Sequence, residues 1–169
     1  MARNVETKAR IADLDAARRT AEGAGARFVW ADTQVDRYYQ IDGGRRVKLR
    51  TCDRAPAELI EYSRPEQHGV RTSEYTVSPV RDAEAERCLV PKGPPLVVVR
   101  KRRELWLVDN VRIHLDQVDG LGTFLELEAV VDAAHDEPTC RAQAERLLAT
   151  FGLGEGDCLR ASYSDLLRA

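Results

Sequence analysis

Asn110-Val111-Arg112-Ile113-His114-Leu115-Asp116-Gln117-Val118-Asp119-Gly120-Leu121-Gly122-Thr123-Phe124-Leu125-Glu126-Leu127-Glu128 is the most informative stretch of this chain. Asp119-Gly120 is a hairpin-turn dipeptide, so the stretch reads as two antiparallel strands. Side chains two apart on a strand share a face. Arg112, His114 and Asp116 therefore point one way, and so do Glu126 and Glu128. Leu125, Leu127 and Ala129 take the opposite face and are expected to pack outward against helices.

The same alternation recurs along the chain. Glu6 and Lys8 share a face, as do Arg46, Lys48 and Arg50, and then Lys101 and Arg103. An ordinary half-buried sheet turns such charges to water, and for any single pair that is the simpler reading. Repetition on many strands with both signs supports another: the strands close and the charged face is a lumen. Arg would grip phosphate there as a bidentate fork and Lys as a point charge. Carboxylates would hold Mg²⁺ or Mn²⁺, which take hard oxygen ligands. A triphosphate needs both halves, because its charge is offset by a divalent ion and its reactions depend on positioning and electrostatics.

The rest of the chain fits one domain spanning 1–169. Short strands are expected at Val5–Ala9, Arg27–Ala31, Asp36–Gln40, Arg46–Thr51, Glu58–Arg64 and Arg71–Val77, then at Leu96–Leu107, Asn110–Gln117 and Thr123–Val131. Asp42-Gly43-Gly44 marks a turn. Helices are expected at Asp13–Ala24 with Asp13 as N-cap, at Ala83–Leu89, at Pro138–Phe151 and near Ser164–Leu167. Many antiparallel strands with few helices give an α+β class with a closed or nearly closed antiparallel sheet. The chain is 32% charged, yet 26 Lys+Arg against 28 Asp+Glu leave a net charge of −2 and a pI near 6.0. That balance implies close pairing of opposite charges and argues against a nucleic-acid-binding surface. No apolar leader or membrane-spanning run is present. Cys52, Cys88, Cys140 and Cys158 form no zinc-type spacing, so reduced thiols in a cytoplasmic setting are expected.

Several motifs, taken in order, resemble the CYTH family. Asn4-x-Glu6-x-Lys8 resembles its N-terminal ExExK signature. Val47-Lys48-Leu49-Arg50 resembles its second basic strand, Glu61-Tyr62-Ser63-Arg64-Pro65 its third, and Val99-x-Lys101-x-Arg103 its central VxKxR element. The 110–128 stretch resembles the class IV adenylyl cyclase branch more than the thiamine triphosphatase branch. The resemblance implies a triphosphate tunnel fold with flanking helices and a metal-dependent reaction using Mg or Mn. It assigns Lys8, Lys48, Arg50, Arg64, Lys101, Arg103 and Arg112 to phosphate binding. It assigns Glu126 and Glu128 to the metal, with Glu6 and Asp116 near metal or substrate. Lys8, Arg112 and His114 are the candidate catalytic groups. The implied reactions are conversion of ATP to cyclic AMP and pyrophosphate, hydrolysis of a triphosphate, or use of the tunnel for another anionic small molecule. A homodimer is compatible with it.

One position departs from the signature. Asn4 stands where the family carries a glutamate, and an amide offers a metal one carbonyl oxygen and no charge. His114 is as readily a hydrogen-bonded structural residue as an acid or base. His68 and His135 are expected in solvent. Tyr38, Tyr39 and Tyr62 are packing residues more often than base-stacking ones. In Arg100-Lys101-Arg102-Arg103 the alternation splits the basic run between two faces, which argues against a nucleic-acid site.

Overall fold

The computed structural model describes residues 2–42, 45–63, 69–80 and 93–169. Eight antiparallel strands close into a barrel: β1 (Ala2–Arg10), β2 (Arg27–Asp42), β3 (Arg45–Cys52), β4 (Glu58–Ser63), β5 (Arg71–Pro79), β6 (Val97–Val108), β7 (Val111–Val118) and β8 (Gly122–Val130). Their order around the wall is β1-β5-β4-β3-β2-β6-β7-β8, and β8 returns to β1. Helix α1 (Leu14–Gly23), α2 (Glu137–Thr150) and a short C-terminal α3 (Tyr163–Leu166) lie outside the sheet ladder.

Closure follows from where the apolar side chains go. On β7 and β8 the outward residues Ile113, Leu115, Leu125 and Leu127 are fully buried in one cluster with Ala17 and Ala21 of α1 and Leu148 of α2. Val5, Val111 and Ala129 pack with Cys140 of α2. Each such aliphatic side chain stabilises the fold by about 1.5–3 kcal/mol. With the apolar face taken by helices, the charged face has only the lumen left. The helices are placed by their caps: Asp13 Oδ1 accepts from Ala16 N–H and Asp136 Oδ1 from Thr139 N–H, each satisfying an orphan donor.

Two of the expected strands are one. Arg27–Ala31 and Asp36–Gln40 belong to the single long β2, because Asp32–Val35 contains no turn residue and keeps the alternation. Two irregularities, at Phe28/Trp30 against β6 and Tyr38/Gln40 against β3, let this strand curve around the barrel. The Asp119-Gly120 turn forms as expected, with Gly120 at φ 75. The expected turn at Gly43-Gly44, the helix at Ala83–Leu89, and Arg64, His68 and Cys88 lie outside the described residues. His135 is not in open solvent. Its Nδ1 is 2.9 Å from Asp132 and its Nε2 is 3.4 Å from Asp109, and the hydrogen bond to Asp132 leads in raising its pKa. Among the described residues no helix is long and apolar enough to cross a membrane.

Candidate active site

The barrel encloses a cavity of about 490 Å³. Glu6, Lys8, Lys48, Arg50, Lys101, Arg103, Arg112, His114, Glu126 and Glu128 all line it. Arg100 and Arg102 are exposed on the outer wall while Lys101 and Arg103 are buried within, so the basic run is divided by the pleat as expected. The lumen charges fall into three groups, each already paired.

The first is centred on Asp36. This carboxylate is 1% exposed and was not among the sequence candidates. Arg50 donates to it through Nε (2.7 Å) and Nη2 (2.9 Å), Lys48 Nζ stands at 2.8 Å and Lys101 Nζ at 3.2 Å. Burial alone would push the Asp36 carboxyl up. Arg50, Lys101 and Lys48 outweigh it and hold the group well below the usual carboxylate range. Lys101 goes the other way for a lysine: burial and the neighbouring Arg103 push it well down, against the pull of Asp36. Arg50 and Lys48 alone outnumber the single Asp36 carboxylate, so this wall keeps an excess of positive charge for an anion.

The second group joins Arg103 to Asp116 and Glu126. Arg103 Nε and Nη2 donate to the two Asp116 oxygens at 2.7 and 2.6 Å, and Nη2 also reaches Glu126 Oε2 at 2.5 Å. Lys8 Nζ is 2.9 Å from Glu126 Oε1. Burial raises the Glu126 carboxyl, but Lys8 and Arg103 hold it well below its ordinary value. Asp116 has no exposed surface and also accepts from the Tyr163 hydroxyl at 2.7 Å.

The third group lies where β7 and β8 pair Arg112 with Glu128 and His114 with Glu126. Arg112 Nη1 is 3.5 Å from Glu128 Oε2, and His114 Nδ1 is 3.6 Å from Glu126 and 3.9 Å from Glu128. Glu6, opposite Glu128 in the β1–β8 register, is 3.2 Å from Arg71 Nε.

His114, Glu126 and Glu128 offer three ligand atoms within 4.8 Å of one another. The His114 Nδ1 atom is buried without a hydrogen-bond partner and faces the Glu126 and Glu128 carboxylates at 3.6 and 3.9 Å. Two carboxylates and an imidazole fit a divalent ion, with Mn²⁺ accepting the nitrogen more readily than Mg²⁺. Of the four residues expected at a metal, Glu126 and Glu128 come together. Glu6 faces the same lumen beside Arg71. Asp116 stands apart, its two oxygens taken by Arg103 and Tyr163.

Asn4 lines the cavity beside Glu6, 3% exposed, and its Oδ1 has no hydrogen-bond partner. Tyr38 and Tyr62 also face the lumen, within 5.5 Å of Lys48 Nζ, while Tyr39 packs outside with Leu49 and Ala57. Extending the alternation through Asp32, Gln34 and Asp36 would have found the missed anchor on β2. Tyr163 and Ser162, which also line the cavity, carry no such signal, since they lie on the C-terminal segment outside any strand.

The model of the CYTH domain matches residues 2–163. The chain is 26% identical over 172 residues to the "Putative adenylate cyclase" of Methanocaldococcus jannaschii, covering 96% of this chain and 97% of that one. Its fold superposes on the PH1012 protein of Pyrococcus horikoshii with a TM-score of 0.85 at 23% identity, covering 96% and 98% of the two chains. A Vibrio parahaemolyticus structure titled "putative adenylate cyclase" matches with a TM-score of 0.75 at 25% identity and 98% coverage of both.

Proposed function

This chain belongs to the CYTH family, and from that membership we propose that it is a metal-dependent enzyme acting on a nucleoside triphosphate or related polyphosphate inside the barrel. The observation that carries the proposal is the lumen itself. Lysines and arginines from β1, β3, β6 and β7 converge on one cavity whose far wall holds the His114–Glu126–Glu128 group. In the structure these cations and carboxylates satisfy one another. A metal-bound polyphosphate would exchange the partners: phosphate oxygens take Lys8, Arg50 and Arg103, and the ion takes Glu126 and Glu128. Each ligand relieves the charge that the other leaves unpaired, so binding of ion and polyphosphate should be mutually reinforcing.

The reaction closest to the family resemblance is formation of cyclic AMP and pyrophosphate from ATP. The 3′-oxygen bonds to the α-phosphorus, the bond from that phosphorus to the bridging oxygen breaks, and pyrophosphate leaves. In this reading the ion is held by Glu126 and Glu128, and the His114 imidazole is left to accept the 3′-hydroxyl proton. Lys8, Arg103 and Arg112 offset charge on the phosphoryl oxygens. The ion, when bound, supplies further neutralisation of those oxygens. Asn4 favours a second reading, in which water attacks the terminal phosphorus of a triphosphate or the tunnel serves another anionic substrate. The free cysteines Cys52, Cys140 and Cys158 agree with a cytoplasmic setting. The deciding experiment is product analysis after incubation with a panel of nucleoside triphosphates and tripolyphosphate in Mg²⁺ or Mn²⁺. Cyclic nucleotide plus pyrophosphate supports the first reading and released orthophosphate the second. No turnover and no binding of any member would refute the proposal.

A further inference from the structure

The lysines and arginines of the three lumen groups each have a carboxylate partner, but two arginines on the outer wall do not. Arg100 and Arg102 stand two apart on β6 and are exposed. Among the described residues no carboxylate lies within salt-bridge distance of either. The neighbouring outward carboxylate on β6, Glu104, is already taken by Arg18 of α1 and by the Trp106 indole N–H. In a chain whose charges otherwise pair closely, two like charges side by side on one strand are unfavourable until an anion joins them.

Strand register surrounds these arginines with further donors. Thr33 of β2 lies opposite Arg102 on one side and Gln117 of β7 on the other, so a hydroxyl and an amide flank the guanidinium in one row across three strands. Val35 and Arg100 form the next row. Thr33 and Gln117 are exposed, and neither side chain hydrogen-bonds to another described residue. All four residues line a groove of about 440 Å³ outside the barrel, beside the β7–β8 turn. Asp119 is the one carboxylate among its described lining residues. Four donor side chains against one carboxylate suit an oxyanion, with Arg gripping it as a fork. A lone carboxylate gives a divalent ion little hold, so the anion would be bound without metal, in contrast to the lumen.

We infer that the outer face of β2, β6 and β7 is a second anion site, separate from the lumen, which takes inorganic diphosphate through Arg100, Arg102, Thr33 and Gln117. Residues two apart on a strand are about 7 Å apart. Two forks at that spacing fit two phosphoryl groups of one ligand better than a single orthophosphate. The inference does not rest on the reaction proposed for the lumen.

The test is titration of the ¹⁵N-labelled full chain with pyrophosphate in EDTA, at low ionic strength where screening is weak, followed by two-dimensional NMR. Saturable shifts are expected at the amides of Thr33, Arg100, Arg102 and Gln117, with orthophosphate binding more weakly. They should persist in Arg50→Ala, which disables the lumen. Arg102→Ala should raise Kd at least about tenfold, as for lost charge-assisted hydrogen bonds. Arg102→Lys, which keeps the charge and loses the fork, should raise it about threefold or more. Thr33→Val, which removes a neutral donor, should weaken binding by a smaller factor and serves as the second variant. Shifts confined to lumen residues would overturn this inference and leave the lumen reading standing. An Arg102→Lys protein that binds as tightly as the parent would also overturn it, since diffuse attraction to charge would then explain the binding. Outer-wall shifts without any lumen response to metal and tripolyphosphate would support this site and count against the lumen reading alone.

Discussion

Replacing Asp36 by Asn tests the central electrostatic claim with almost no change of shape. The amide keeps the volume and one acceptor oxygen but removes the only carboxylate within salt-bridge distance of Lys48, Arg50 and Lys101 among the described residues. Removing one partner of a buried ion pair costs about 3–5 kcal/mol, because the other charge stays buried without compensation. At about 2–4 °C per kcal/mol for a chain of this size, the melting temperature should fall by roughly 6–20 °C. A polyphosphate brings back negative charge. Two unit charges about 5 Å apart interact by about 3 kcal/mol at an effective dielectric constant near 20, so saturating tripolyphosphate should recover much of the loss. The assay is thermal and urea unfolding of parent and variant, each with and without tripolyphosphate. The variant should be the less stable protein alone and should gain more from the ligand than the parent does. A loss below about 1 kcal/mol, or an equal ligand-induced gain in both proteins, would refute the reasoning.

Glu128→Gln should weaken Mn²⁺ binding and shift the Mn²⁺ dependence of any turnover, since it removes one of three ligand atoms in the His114 group; an unchanged calorimetric Mn²⁺ isotherm contradicts that placement. Asn4→Glu should tighten Mn²⁺ by adding a carboxylate where a buried carbonyl now has no partner, and an affinity no better than the parent's would remove Asn4 from the site. Arg50→Ala should weaken tripolyphosphate binding by about 1.5–3 kcal/mol for a lost charged hydrogen bond, measured by titration calorimetry. Asp116 and Glu126 should make the barrel acid-labile in a defined window. Burial raises both carboxyls, but Arg103 for Asp116, and Lys8 with Arg103 for Glu126, hold the folded-state values below the unfolded ones, Asp116 at about 2. The stability they contribute is therefore complete above the ordinary carboxylate range near 4 and disappears as pH falls toward 2. Urea midpoints that stay constant from pH 5 to pH 2.5 would contradict this.

The residues that were legible in advance share one property: each sits on a strand whose side chains alternate. Lys48, Lys101, Arg112 and Glu126 could be placed on one face by counting in twos, and the leucines between them showed where the helices pack. No strand break falls between Ala31 and Asp36, because the pairing with β6 runs through Asp32–Val35 in unbroken register and the two irregularities lie on either side of it. The same count through Asp32 and Gln34 puts Asp36 on the lumen face, but the basic groups around it come from other strands and leave no mark on its own. Nothing local marks Tyr163, whose lumen contacts are Lys8 and Asp116, residues distant in the chain.

Periodicity, helix caps and charge balance, and through them a closed sheet with a charged interior, can be read along the chain, because they depend on neighbours within a few residues. Which carboxylate pairs with which cation, the meeting of His114 with Glu126 and Glu128, and the contact of Tyr163 with Asp116 appear only in the folded chain. Those outcomes depend on strand register and on where the chain's last turn docks. Both are settled by packing among residues far apart in sequence, where a shift of one position would turn every lumen charge outward.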